Sequence, residues 1–99
     1  MNRKDCLDEA IKCVCQDRQN TYGSPEKNFK VIADYWTVFL QSIGYEVTVL
    51  PWHVAVMMSQ LKTARMASSP NHLDNYVDGC GYLANACELV GDRVVGTIS

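Results

Sequence analysis

The chain has 99 residues, a net charge of -2, and 47% apolar against 20% charged residues. That is the size of one domain with one modest core, and it is far from the disordered class. The near-neutral charge excludes global attraction to a nucleic-acid duplex, and the lack of any run of eighteen apolar residues excludes a helical membrane span.

The N-terminus, MNRKDCLDEAIK, alternates charges where a signal peptide would carry its apolar segment. Secretion is therefore not expected, and the cytosol is the expected compartment. Leu7, Ala10, Ile11 and Val14 then recur at helical spacing and predict a first helix over about 3–19. Arg18 continues that stripe about 20° from Leu7, an unusual place for a permanent cation.

The run from Asn20 to Pro25 is turn chemistry, with Ser24 placed to cap a helix and Pro25 at its first position. The second helix, over about 25–43, carries Phe29, Ile32, Ala33, Trp36, Phe39, Leu40 and Ile43, and Gly44 ends it. Tyr45 to Leu50 is β-branched, but a lone strand has no partner, so it reads as an extended connection.

Pro51 opens a third helix over about 51–67, striped by Val54, Met57, Met58, Leu61 and Ala64. Arg65 falls within that stripe, and Lys62 lies one turn before it. After Ser68-Ser69-Pro70-Asn71, a fourth helix over about 72–90 places Leu73, Tyr76, Val77, Cys80, Ala84 and Cys87 on one side. Asp74 and Asp78 share a second, polar face with Gly81 and Asn85. Gly79 and Gly81 inside a helix each cost about 1 kcal/mol relative to alanine, which a closely approaching helix or ligand offsets. The tail from Asp92 is too short for another helix. The expected architecture is all-α, a compact bundle of four helices with short connections in a single domain over 1–99.

Five cysteines occur without a C-x-x-C pair. Cys13 and Cys15 point about 200° apart on a helix, while Cys6/Cys13 and Cys80/Cys87 are separated by roughly 10 Å, too far for disulfides. They read as small buried thiols in a reducing compartment. His53 and His72 stand at helix starts with no partner that would make either a base.

Lys62 and Arg65 face the acidic side of the fourth helix. Two arrangements follow, and they are compatible: ion pairs to Asp74 and Asp78 that tie the helices together, or a functional pocket. Tyr22, beside Gly23, is placed to stack on a base or to cover the end of the bundle.

The strings Asp17-Arg18, Tyr22 to Phe29, Ile32-Ala33 with Trp36, Val54 to Met58, Leu61-Lys62 with Arg65, Asp74 to Asp78 and Gly81 to Ala84 resemble a small phage- and prophage-associated family of unknown function. The likeness covers roughly residues 15 to 90. More distantly, the chain is similar to helical nucleotide-modification domains of phages and to MazG-like nucleotide pyrophosphohydrolases. That resemblance implies a MazG-like all-α outline, a dimer or higher homo-oligomer, and a nucleotide held between helices.

MazG-like enzymes bind magnesium through two acidic pairs on adjacent helices. Here Lys62-x-x-Arg65 replaces one pair, and Asp74 and Asp78 are spaced by four rather than three. Cations at that face suit direct contact with phosphate oxygens. The expected function is binding of a nucleotide or nucleotide-derived signal in the host bacterial cytosol, sequestering it against host defence, with no cofactor. Arg18, Lys62 and Arg65 would contact phosphate, Tyr22 or Tyr82 would stack, and Asp74 or Asp78 would meet ribose hydroxyls. One alternative is a magnesium-dependent pyrophosphohydrolase with a reduced site of Asp74, Asp78 and Glu88. Another is a protein inhibitor of a host enzyme.

Overall fold

The computed structural model describes residues 1–17 and 24–91, and Arg18, Tyr22 and the tail from Asp92 lie outside them. Helix α1 spans Arg3–Lys12 and runs into a π-helical turn, Cys13–Asp17. Helices α2 (Pro25–Ser42), α3 (Pro51–Ser68) and α4 (Asp74–Gly91) follow. Among the described residues there is no strand, so the all-α reading holds. No helix among them is long and apolar enough to cross a membrane.

Local chemistry sets the helix ends. Asn2 Oδ1 accepts from the Asp5 N–H (2.8 Å) and opens α1, while the Asn2 N–H donates back to Asp5 Oδ2 (3.4 Å). Ser24 Oγ accepts from the Lys27 N–H at the start of α2 (3.3 Å). Gly44, at φ 106°, terminates α2 in the left-handed region where a side chain is disfavoured. His53 is structural, because its Nδ1 accepts the Leu50 N–H at the head of α3 (3.0 Å). His72 precedes α4 and its carbonyl accepts the Asn75 N–H (3.1 Å).

The segment from Tyr45 to Leu50 is extended, and α2 supplies the partners a strand would need. Thr37 Oγ1 accepts from the Val49 N–H (2.8 Å) and donates to the Val49 carbonyl (3.3 Å). Gln41 Nε2 donates to the Val47 carbonyl (3.1 Å). Two α2 side chains thus satisfy backbone groups that an isolated strand would leave open.

Helices α3 and α4 form the most extensive pairing, with α2 against α3 and α1 against α4. Gly79 and Gly81 of α4 lie against side chains of the neighbouring elements. A Cβ on Gly79 would lie 3.8 Å from Met66 and 3.9 Å from Lys62 of α3, and one on Gly81 would lie 3.4 Å from Val14. The core is made of Phe29, Ala33, Val54, Ala55 and Ala86, with Ile32, Trp36, Met58, Tyr82 and Leu89 packed around it.

That core is thin, and among the described residues the largest fully buried side chain is Val54. The predicted stripes are therefore only partly covered. Leu7 and Ile11 of α1, Phe39 and Ile43 at the end of α2, Met57 and Leu61 of α3, and Leu73 are all exposed. Ala64, Ala84 and Cys87 are exposed as well. The cysteine reading needs the same correction: all five are free, but none is buried, since Cys15 and Cys87 are exposed and Cys6, Cys13 and Cys80 only half-buried.

Candidate functional site

The length of α1 and the N-terminal half of α4 border an open cleft of about 760 Å³ lined by Met1, Asp5, Asp8, Glu9, Cys13, Asp74, Val77 and Asp78, of which Met1, Asp5, Asp8, Glu9 and Asp74 are exposed. This volume lies within the range of small-molecule sites. Asp5, Asp8 and Glu9 recur at i, i+3 and i+4, so one face of α1 presents three carboxylates to the two on α4. Asp8 is held by Lys4 Nζ at 2.7 Å on the outer surface.

Asp78 forms the inner wall. Its Oδ2 lies 2.9 Å from Lys62 Nζ, with 16% and 13% of the two side chains open to water. The ion pair read as one possibility from sequence is present for this pair, and it ties α3 to α4. Beneath it, a cavity of about 20 Å³ is bounded by Cys13, Val14, Val77, Asp78, Gly81, Tyr82 and Asn85. That is room for about one water molecule.

The remaining predicted residues separate. Asp74, the first residue of α4, is exposed and lines the larger cleft. Tyr82 is half-buried, borders the small cavity, and packs its ring 6.2 Å from that of Phe29 at 49°. Arg65 is exposed and borders neither cavity, because this turn of α3 directs Met66, not Arg65, toward Gly79 of α4. Glu88 is exposed near the end of α4, away from the cleft. Lys62, Asp74, Asp78 and Tyr82 are thus brought to one side of α4, and Arg65 lies outside that group.

Asp5, Asp8 and Glu9 were not among the residues singled out from sequence. Their i, i+3, i+4 spacing was the available signal, hidden within an N-terminus of alternating charges. Among the described residues no three His, Cys, Asp or Glu side chains converge closely enough to hold a metal ion. The carboxylates are spread along the cleft as separate hydrogen-bond acceptors. They suit a ligand rich in hydroxyl or amino donors, while Lys62 is the cation nearest the inner wall.

A second pair of titratable groups lies where α1 crosses α4. The Cys6 thiol is pushed above its ordinary value first by burial and then by the neighbouring Cys80 thiol, which hydrogen-bonds to it.

Comparison with known proteins gives a family and relatives. The family model described as "Domain of unknown function (DUF6378)" matches residues 5–90. The Gene 55 protein of Mycobacterium phage D29 is 33% identical over 90 residues, covering 91% of this chain and 56% of the relative. The Gene 55 protein of Mycobacterium phage L5 is 37% identical over 76 residues, covering 77% of this chain and 46% of the relative. The chain spans about half the length of these curated relatives. No solved structure matches it.

Proposed function

The chain belongs to the DUF6378 family, and we propose that it binds a nucleotide or nucleotide-derived signal in the cleft between α1 and α4. In the host bacterial cytosol, such a protein would hold the signal away from a defence system, as a binder rather than an enzyme. The observation that carries this reading is the Lys62–Asp78 pair at the wall of a ligand-sized cleft.

A nucleotide has an anionic end and a donor-rich end. A phosphate that competes for Lys62 frees Asp78 to accept from ribose hydroxyls, and Asp74 lies one turn away for the same purpose. Arg65 is exposed and outside the cleft, so its contact with phosphate is carried by the sequence reading alone. Tyr82 acts as a packed wall against Phe29 more than as a free stacking platform. Arg18 and Tyr22 remain part of the proposed site by sequence alone.

A second reading draws on one specific observation. Asp5, Asp8 and Glu9 add three carboxylates to Asp74 and Asp78, so the cleft holds more acid than either helix alone presents. Under the resemblance to MazG-like enzymes read from sequence, that acid would meet magnesium carried in by the nucleotide, because the carboxylates do not converge on a metal site of their own.

The deciding experiment is thermal unfolding against a panel of nucleotides and cyclic nucleotide signals, with magnesium and with chelator. A ligand at about 100 times its dissociation constant adds about 2.7 kcal/mol, several degrees in a domain of this size. We expect a shift that survives chelator, falls in Lys62→Met and Asp74→Ala, and returns the ligand intact. A shift only with magnesium, with phosphate release, would establish the hydrolase. No shift with any ligand would overturn both readings.

A further inference from the structure

A cysteine stands on each side of the crossing between α1 and α4. Cys6 shares a face of α1 with the buried Ala10, one turn further on. Cys80 stands between Gly79 and Gly81 within α4. The two thiols hydrogen-bond across the crossing, and both are half-buried. We propose that Cys6 and Cys80 are a modification site, a dithiol that a peroxide oxidises to a disulfide stapling α1 to α4.

Backbone proximity is the first argument. A disulfide needs Cα atoms roughly 4.4–6.8 Å apart, closer than packed helices usually come. This crossing is built from small residues. Ala10 is buried on α1, and a Cβ on Gly81 of α4 would lie 3.4 Å from the Val14 side chain. The helices therefore come close beside Cys80. The alternative pairs along one helix, Cys6 with Cys13 and Cys80 with Cys87, are held roughly 10 Å apart by the helix itself.

The chemistry balances with the oxidant alone. One thiolate attacks a peroxide oxygen, the O–O bond breaks, and the departing oxygen takes up protons and leaves as water. The sulfenic acid that remains is attacked by the second thiol, which forms the S–S bond and expels a second water. Two thiols lose two electrons and two protons, and hydrogen peroxide becomes two waters.

Helix α1 is the element on which such a bond acts. Its main packing partner is α4, and it leaves Leu7 and Ile11 in water. It also carries Asp5, Asp8 and Glu9, so a bond at Cys6 fixes one wall of the cleft whatever the cleft binds. The bond closes a loop of about 75 residues, which strongly restricts the unfolded chain. Transient disulfides of this kind are the form in which thiols of a reducing compartment register oxidant.

The test treats the full chain, carrying Cys15→Ser and Cys87→Ser, with a slight excess of hydrogen peroxide and maps its peptides without reductant. We expect a Cys6–Cys80 cross-link within one chain, a Tm raised by about 10 °C and slower amide exchange in α1, all reversed by dithiothreitol. Adding Cys80→Ser should abolish all three, and Cys6→Ser should do the same if the first variant fails to fold. A cross-link between any other pair, or oxidation of the two thiols to separate sulfinic acids, would overturn the proposal. A Cys6–Cys80 bond that leaves Tm and α1 exchange unchanged would overturn its role as a staple.

Discussion

Lys62 and Asp78 meet at 2.9 Å with most of each side chain shielded from water, so neither charge has bulk solvent to fall back on. A shielded pair contributes little net stability, yet removing one member strands the other. We expect Asp78→Ala to cost about 2–3 kcal/mol, and Lys62→Met combined with Asp78→Leu to cost clearly less than the two single changes summed. Urea unfolding would show this as midpoint shifts at constant slope. The thiols give a second expectation at this scale. Cys15 and Cys87 are exposed and should alkylate first, while Cys6, with its pKa raised by burial and then by Cys80, should react only at higher pH. The sign for stability follows. The folded thiol keeps its proton to higher pH than the unfolded one, so this contribution is complete below the ordinary thiol value. It is lost as pH climbs through the raised one. Melting temperature measured between about pH 8 and 10 should fall less steeply in Cys6→Ala than in the wild type.

Helix ends were legible because they depend on a few adjacent residues. Ser24 before Pro25, Gly44 and Pro51 each act within one turn, and the structure uses all of them as read. Helix faces were less legible, because an apolar stripe shows only that a side should be covered. On α1 the stripe of Leu7 and Ile11 stays in water, while the acidic face with Asp5, Asp8 and Glu9 turns to the cleft. Asp74 and Asp78 could be found from sequence because they stand beside glycines on a polar face, but their three counterparts on α1 could not be paired with them without the fold. The π-helical turn carries no propensity signal, although its Cys13 and Val14 border the small cavity. The glycines of α4 make an element-scale expectation with two signs. Gly79→Ala adds a methyl at ordinary contact distance from Met66 and Lys62, so helix propensity should win, with a gain of up to about 1 kcal/mol and a few degrees in Tm. At Gly81 the added carbon already touches Val14, so Gly81→Leu should push the end of α1 outward and cost about 2 kcal/mol. Thermal unfolding of the two variants side by side separates them.

Across the whole molecule, the order of pairing matters more than the number of helices. The α3–α4 pair carries the densest packing, the buried ion pair and the alanine and valine core, while α1 rests on α4 and α2 on α3. The connection after α2 is fastened by Thr37 and Gln41, which ties α2 and the head of α3 into one unit. Local stability follows such packing, and elements held on one side open before the rest. Amide hydrogen exchange should therefore show the slowest amides in the middle of α3 and α4, at the free energy of global unfolding. Helix α1, with Leu7 and Ile11 in water, should open at lower energy and at a rate independent of protein concentration. Helix α2 contributes Phe29 and Ala33 to the core and is tied to the following segment through Thr37 and Gln41, so it should open at an energy above α1 and below the α3–α4 pair. Equal protection of α1 and α2 would instead describe two flanking helices attached with equal strength.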